Sequence, residues 1–410
     1  MTAADAAGAL GAPESKPRSP DPWVTGLGLL LLLGGALALG QSFEGRQPWL
    51  YLLGGAFGLV LYHASFGFTG AWRVFIADGR GAGLRAQMVM LALTTAFFLP
   101  IIAAGSLFGR PAGGFIAPVG VSVTVGAFLF GLGMQLGGGC ASGTLFTVGG
   151  GRSRMLVTLV FFCIGSVVGT AHLPWWLQQY SLGSISLGRE LGPVGAIALL
   201  WAAFGAVALA TVVVERRRHG RLEPIARTAK GRSRLLQGPW PLLAGAVLLA
   251  GLNLATLALA GHPWGVSSGY TLWGAKAASA LGVDLGGWSY WATPGRQNQL
   301  QASLFADTIS VMNFGIIVGA FLAAGLAGRF APERRIAWRS LLAAVIGGLL
   351  MGYGARLAFG CNVGAYFSGI ASGSLHGWLW FLAALGGSYL GTRLRPAFGL
   401  AVERSAPCRS

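Results

Sequence analysis

Residues 131–146 read GLGMQLGGGCASGTLF, and residues 352–367 read GYGARLAFGCNVGAYF. Shifted by 221 residues, Gly126, Leu129, Gly131, Gly133, Leu136, Gly139, Cys140, Gly143 and Phe146 fall on Gly347, Leu350, Gly352, Gly354, Leu357, Gly360, Cys361, Gly364 and Phe367, nine identities in 21 positions. With 68 glycines in the chain the glycine matches carry little weight, but cysteine occurs only four times and two of the four, one in each copy, fall at the same place. After one inserted residue, GSVVGT at 165–170 meets GSYLGT at 387–392, so the likeness runs on into the next segment.

Both copies lie in strongly apolar surroundings. Hydrophobic residues make up 54% of the chain and charged residues 10%, which places it outside soluble globular domains and among all-α polytopic membrane proteins. A crossing needs roughly 20 apolar residues, and six are predicted in the first half, at 23–41, 48–63, 84–106, 118–137, 154–173 and 192–214. The net charge of +17 does not point to nucleic acid, because the basic residues sit mostly between apolar stretches, where they set membrane orientation. The densest basic run, ERRRHGRLEPIARTAKGRSR at 215–234, is expected on the cytoplasmic side and divides the chain. The organisation expected is a disordered cytoplasmic tail at 1–22, a first membrane half at 23–214, a basic linker at 215–237, a second membrane half at 238–396 and a cytoplasmic tail at 397–410. The opening residues lack the basic start and short apolar core of a cleaved signal.

In the second half the apolar run 238–261 predicts an outward crossing, 303–328 a return, and two further crossings bring the Arg-rich end inside. Between the first two, PWGVSSGYTLWGAKAASALGVDLGG at 263–287 satisfies the charge rule only if it dips into the membrane and comes back. An odd number of crossings then separates the copies, giving an inverted-topology repeat with Cys140 toward the cytoplasm and Cys361 toward the outside. Such repeats hold substrate near the midplane on broken helices.

GGGCASG and FGCNVGA are poor continuous helices, since each Gly costs about 1 kcal/mol relative to Ala. Irregular backbone at membrane depth must be buried or line a cavity, and a helix start exposes amides that suit an anion. The candidate path residues are therefore Gly139, Cys140, Gly143, Gly360, Cys361 and Gly364, with the soft thiols suited to a sulfur-bearing solute. The plainer reading is close helix packing by small residues. Cys163 reads as a filler of an apolar span and Cys408 as part of the polar tail; no CxxC or His cluster calls for a metal or cofactor. Ionisable residues within spans usually pair or line a path, which singles out Lys276, Asp307 and Arg356. Arg356, five residues before Cys361, either serves the anion or pairs with Asp307. His63 reads as a core or interfacial histidine, and Trp175 and Trp176 as an interface belt.

The two Gly-Cys segments, together with PWGVSSGYTLWGAK at 263–276 and NFGIIVGAFLAA at 313–324, resemble the YeeE/YedE family of sulfur transport membrane proteins, most closely its longer YedE branch. The resemblance runs from about residue 48 to 396. It implies a multi-pass inner-membrane protein with short dipping helices, moving thiosulfate or a related small sulfur anion past cysteines that touch it weakly. Cys140 and Cys361 match two of those cysteines; Gly67, in SFGFTGAWR, stands where the family has a third. A selenium compound remains open as substrate, and the resemblance also implies a TusA-like sulfur-carrier protein at the cytoplasmic face. A membrane thiol-dependent sulfurtransferase or oxidoreductase is the alternative of another class. It would need a group that lowers the thiol pKa, and MQLGGGCASG offers no ionisable neighbour, so the reading is a transporter and not an enzyme.

Overall fold

The structure, a computed structural model, describes residues 19–43, 45–223, 236–333 and 335–402. Cys408, most of the terminal tails and most of the basic linker lie outside the described residues. Helix α1 (Pro22–Ser42) starts on Asp21, whose carboxylate accepts from the amides of Trp23 and Val24 at 3.0 and 3.1 Å. Next come α2 (Gln47–His63), the short α3 (Phe68–Asp78) and α4 (Ala82–Ala104). A small hairpin, β1 (Ser106–Leu107) and β2 (Arg110–Pro111), and β3 (Pro118–Gly120) lead into α5 (Val121–Gly137). The half continues with α6 (Ala141–Gly149), α7 (Ser153–Leu177), β4 (Ser181–Ser184) antiparallel to β3, α8 (Leu187–Glu190) and α9 (Gly192–His219). The second half holds α10 (Leu242–Ala260), α11 (Ser267–Ala280), α12 (Pro294–Gln301), α13 (Thr308–Leu326) and α14 (Trp338–Leu357). A π-helical segment (Asn362–Ser368) runs into Gly369–Ala371, and α15 (Leu375–Leu394) follows.

Among the described residues, nine helical stretches are long and apolar enough to cross a membrane. Helices α1, α2, α4, α5, α7 and α9 occupy the six crossings expected in the first half. Helix α11 has 14 residues, about 21 Å at 1.5 Å per residue, too short for a hydrocarbon layer of about 30 Å. A helix of this length fits the dip that the charge pattern predicts. Helix α9 runs past residue 214 to His219, because Arg216, Arg217, Arg218 and His219 lie in its last turn, where the helix dipole favours cations, and Gly220 closes it at φ 69.

The order helix, short helix, helix, helix, short helix, helix occurs twice. Helices α2, α3, α4, α5, α6 and α7 correspond to α10, α11, α13, α14, the π-helical segment and α15. The packing crosses over between copies: α2 lies on α13 and α10 on α4, while α5 lies on α15 and α14 on α7, with α5 against α14 at the centre. The glycines fix the direction. A Cβ on Gly126 would stand 2.7 Å from the Gly354 carbonyl oxygen, and one on Gly133 2.8 Å from that of Gly347. Gly347 is the counterpart of Gly126 and Gly354 that of Gly133, so each glycine touches its neighbour's counterpart. A two-fold axis between oppositely directed copies produces this arrangement, and the repeat is inverted.

These close approaches also explain many of the other glycines. Cβ atoms on Gly54 and Gly58 of α2 would collide with the carbonyl oxygens of Met312 and Ile316, and one on Gly387 of α15 with that of Phe128. Packing that is tight enough for backbones to touch is the main attraction between helices in lipid. Gly347→Leu would drive a side chain into the backbone of Gly137. Overpacking of this kind costs about 1–3 kcal/mol, so this variant is expected to melt several degrees below the parent in detergent, whereas Gly26→Leu, on a face with nothing within 4 Å, should not.

Basic residues gather at one end of the bundle. Arg85 and Arg80 meet Glu215 at 2.7 and 3.4 Å, and Arg152 lies 3.7 Å from Glu333. Arg154 donates to the carbonyls of Leu136 and Gly137, the last turn of α5, at 2.6 and 2.9 Å.

Candidate functional site

Helix α5 stops at Gly138, whose φ of 95 turns the chain back on itself. Gly139 follows, and Cys140, extended at φ −77 and ψ −172, begins α6. Its Sγ accepts from the Gly143 amide at 3.4 Å and stands 3.5 Å from the Ser142 hydroxyl. The second copy repeats the turn with a side chain in place of the glycine: Phe359, the counterpart of Gly138, has φ 58. Non-glycine residues in this region are strained and concentrate at functional sites. Gly360 and then Cys361, the latter at φ −111 and ψ −169, open the π-helical segment, a geometry frequent at functional sites.

The two breaks meet. Helix α6 and the π-helical segment pack against each other, and both cysteines are buried, at 1% and 0% exposure. Thr69, from the first turn of α3, lies beside Cys140 with its hydroxyl buried and without a hydrogen-bond partner, and Ser267, from the first turn of α11, lies beside Cys361. Tyr270 of α11 donates its hydroxyl to the Ala141 carbonyl at 2.8 Å, which ties α11 to the other copy's break. Four helix starts thus converge, and in α3, α11 and the π-helical segment no side chain caps the first amides. Aromatic rings wall the site: Phe162 stands 4.8 Å from Tyr270, and Trp380 lies 5.4 Å from Phe130 and donates to the Gly360 carbonyl at 3.3 Å.

Several singled-out residues lie elsewhere. Lys276, near the far end of α11, donates to the Leu300 carbonyl at 2.5 Å. Arg356 donates to the Tyr290 hydroxyl at 2.9 Å and sits over that ring at 5.3 Å. Both therefore lie beneath residues 281–306, at the end away from the basic cluster. Arg356 thus meets Tyr290, and Asp307 instead caps α13, accepting from the Ser310 amide at 2.7 Å. At the basic end the counterpart of Arg356 is Gln135, which accepts from Arg73 at 3.3 Å and whose carbonyl accepts from Arg395. Each end thus has cationic side chains beside equivalent positions of α5 and α14. Gly67 begins α3, and a Cβ there would meet nothing within 4 Å. His63 is buried between Tyr62 and Trp240, and Cys163 is half-buried on α7. Among the described residues no three His, Cys, Asp or Glu side chains come together as metal ligands.

Residues that the sequence reading did not single out are Thr69, Tyr270 and Asn362. Asn362 carried a signal as a polar residue where the first copy has Ala141, and Thr69 and Tyr270 lie in aromatic-Thr stretches, FTGAWR and YTLWGAK, that occur once in each half.

Residues 63–390 match the family model described as Sulphur transport. The chain belongs to the sulphur transport family. The matched range of this family member holds both cysteine breaks and the short helices α3 and α11. Over 80% of its length the chain is 29% identical to the thiosulfate transporter TsuA of Spirochaeta thermophila, covering 92% of that protein. It is 25% identical to the thiosulfate transporter TsuA of Escherichia coli, across 80% of this chain and 88% of that one. The probable transporter YedE of Escherichia coli is 35% identical over 164 residues, 38% of this chain and 39% of YedE. Sulphur transport is thus the family setting of the broken-helix site.

Proposed function

We propose that this protein carries a small sulfur-containing anion of the thiosulfate type across the inner membrane, past Cys140 and Cys361. The observation that carries the reading is that two buried thiols stand at two helix starts packed together on the axis of an inverted repeat. An anion stripped of water needs donors at membrane depth, and uncapped helix amides provide them along with the positive end of the helix dipole. A thiol is a weak donor and acceptor, so it steadies a polarizable sulfur without holding it, and conduction requires release as much as binding. The groups facing Cys140 are Ser142, Thr69 and the Gly143 amide. None is a base or cation of the kind that activates a nucleophilic thiol, which favours passage without covalent turnover.

The end bearing Arg80, Arg85, Arg152 and Arg154 faces the cytoplasm by the positive-inside rule, with Cys140 reached from that side and Cys361 from the other. A TusA-like sulfur carrier would receive the anion at the cytoplasmic end, near Arg73 and Arg395. Gly67 leaves one thiol fewer on this route than the resemblance to the YeeE/YedE family implies. Uptake of labelled thiosulfate, selenite and sulfate into proteoliposomes of the purified protein tests the reading. Thiosulfate is expected to accumulate and sulfate not. Accumulation of selenite alone would move the substrate to selenium compounds, and accumulation of none of the three would leave a scaffold subunit.

A further inference from the structure

Asn362 directly follows Cys361 as the first residue of the π-helical segment. Its side chain is fully buried, and neither Nδ2 nor Oδ1 has a hydrogen-bond partner. Buried polar atoms without partners are costly, and native proteins keep few of them. Nothing in the fold calls for an amide here: the counterpart in the first copy is Ala141, which starts its short helix without any polar side-chain atom. Space lies alongside. Gly364, two residues on and buried as well, would carry a Cβ with no atom within 4 Å. An unpaired amide, an internal opening and a thiol thus share one turn.

We propose that Asn362 binds the oxygen end of the transported anion and thereby selects a sulfur oxyanion that keeps one exposed soft sulfur. Nδ2 donates to an anionic oxygen, Oδ1 accepts from a water entering with the anion, and the sulfur end lies toward Cys361. This rests on the reading of the cysteine breaks as an anion path and adds its selectivity. Hydrosulfide has the soft atom without the oxygens, and sulfate has the oxygens without the soft atom, so each forgoes one of the two contacts. The inversion supports the assignment. With Ala141 at the matching place, the amide serves one side of the axis only, so the anion is held in one orientation.

The test uses the full-length protein in proteoliposomes and the rise in melting temperature on adding thiosulfate. Asn362→Leu keeps the branched outline, with a larger volume that the space beside Gly364 can take up, and removes both polar atoms. The expected result is an apparent affinity for thiosulfate at least ~10-fold weaker, as when a site loses a hydrogen bond to its substrate, with the thiosulfate-induced rise in melting temperature lost. The ligand-free melting temperature should stay level or increase, because an unpaired amide has gone. Asn362→Ser, which keeps a donor, should fall between the two. Hydrosulfide should compete poorly in the parent and nearly as well as thiosulfate in Asn362→Leu. Parent-like affinity in Asn362→Leu, or a marked fall in ligand-free melting temperature in both variants, overturns the assignment. A parent protein that takes up no thiosulfate removes the reading of the path as a thiosulfate route, whereas parent uptake matched by Asn362→Leu removes only the role of Asn362.

Discussion

Cys140→Ala and Cys361→Ala are each expected to lower thiosulfate uptake at least ~10-fold, equivalent to about 1.4 kcal/mol of lost stabilisation along the path, while Cys163→Ala should stay near the parent rate. The contrast follows from position. Cys140 and Cys361 open the two short helices that pack together at the repeat axis, whereas Cys163 lies half-buried midway along α7. Serine in place of either cysteine keeps a hydroxyl at the helix start but gives up the polarizable sulfur, so it should retain part of the activity. Truncation by one sulfur atom leaves a small cavity, and its packing cost is limited; expression and melting temperature therefore change far less than uptake. Measuring the rate and the melting temperature on the same preparations separates the two roles. If both alanine variants transport at the parent rate, the thiols are packing residues.

Arg356→Met is expected to lower uptake about tenfold, and to do so mainly at low substrate concentration and low salt. A cation in a low-dielectric funnel raises the local concentration of an anion and its rate of arrival, an effect that ionic strength suppresses. Lys276→Met should have a smaller effect in the same direction. The competing account is that Arg356 merely fastens residues 281–306 through Tyr290. Tyr290→Phe distinguishes them: it removes the hydrogen bond and keeps the charge. Near-parent uptake in Tyr290→Phe alongside the loss in Arg356→Met assigns the effect to the field, while equal losses in both assign it to the fastening.

The large features of the fold were legible because they depend on chemistry that recurs along the chain. A crossing requires a long apolar stretch wherever it occurs, so α1, α2, α4, α5, α7 and α9 could be read off one after another. The inverted repeat was legible because a rare residue, cysteine, returned inside a matching run of glycines, and the basic loops then required α11 to dip. The short helix starts were also foreseeable from their glycines. The partners of individual side chains were not. Arg356 and Asp307 are both ionisable residues within apolar sequence and looked able to pair, yet one meets Tyr290 from a distant loop and the other caps its own helix. Asn362 reads as one more polar residue until its surroundings show that nothing answers its amide. Helix α9 continues past the predicted crossing at 192–214 into the basic run, because a basic last turn stabilises a helix end.

The most direct measurement of the central claim, that the anion passes along the two buried thiols, is thiol labelling during transport. In a Cys163→Ala/Cys408→Ala variant reconstituted in proteoliposomes, a small charged methanethiosulfonate reagent is added with and without thiosulfate, and both labelling and uptake are followed. Cys140 and Cys361 should be modified despite their burial, uptake should fall in step with modification, and thiosulfate should slow the labelling of both. Thiols that stay unmodified while the protein transports, or that are modified without loss of uptake, would contradict a path lined by Cys140 and Cys361.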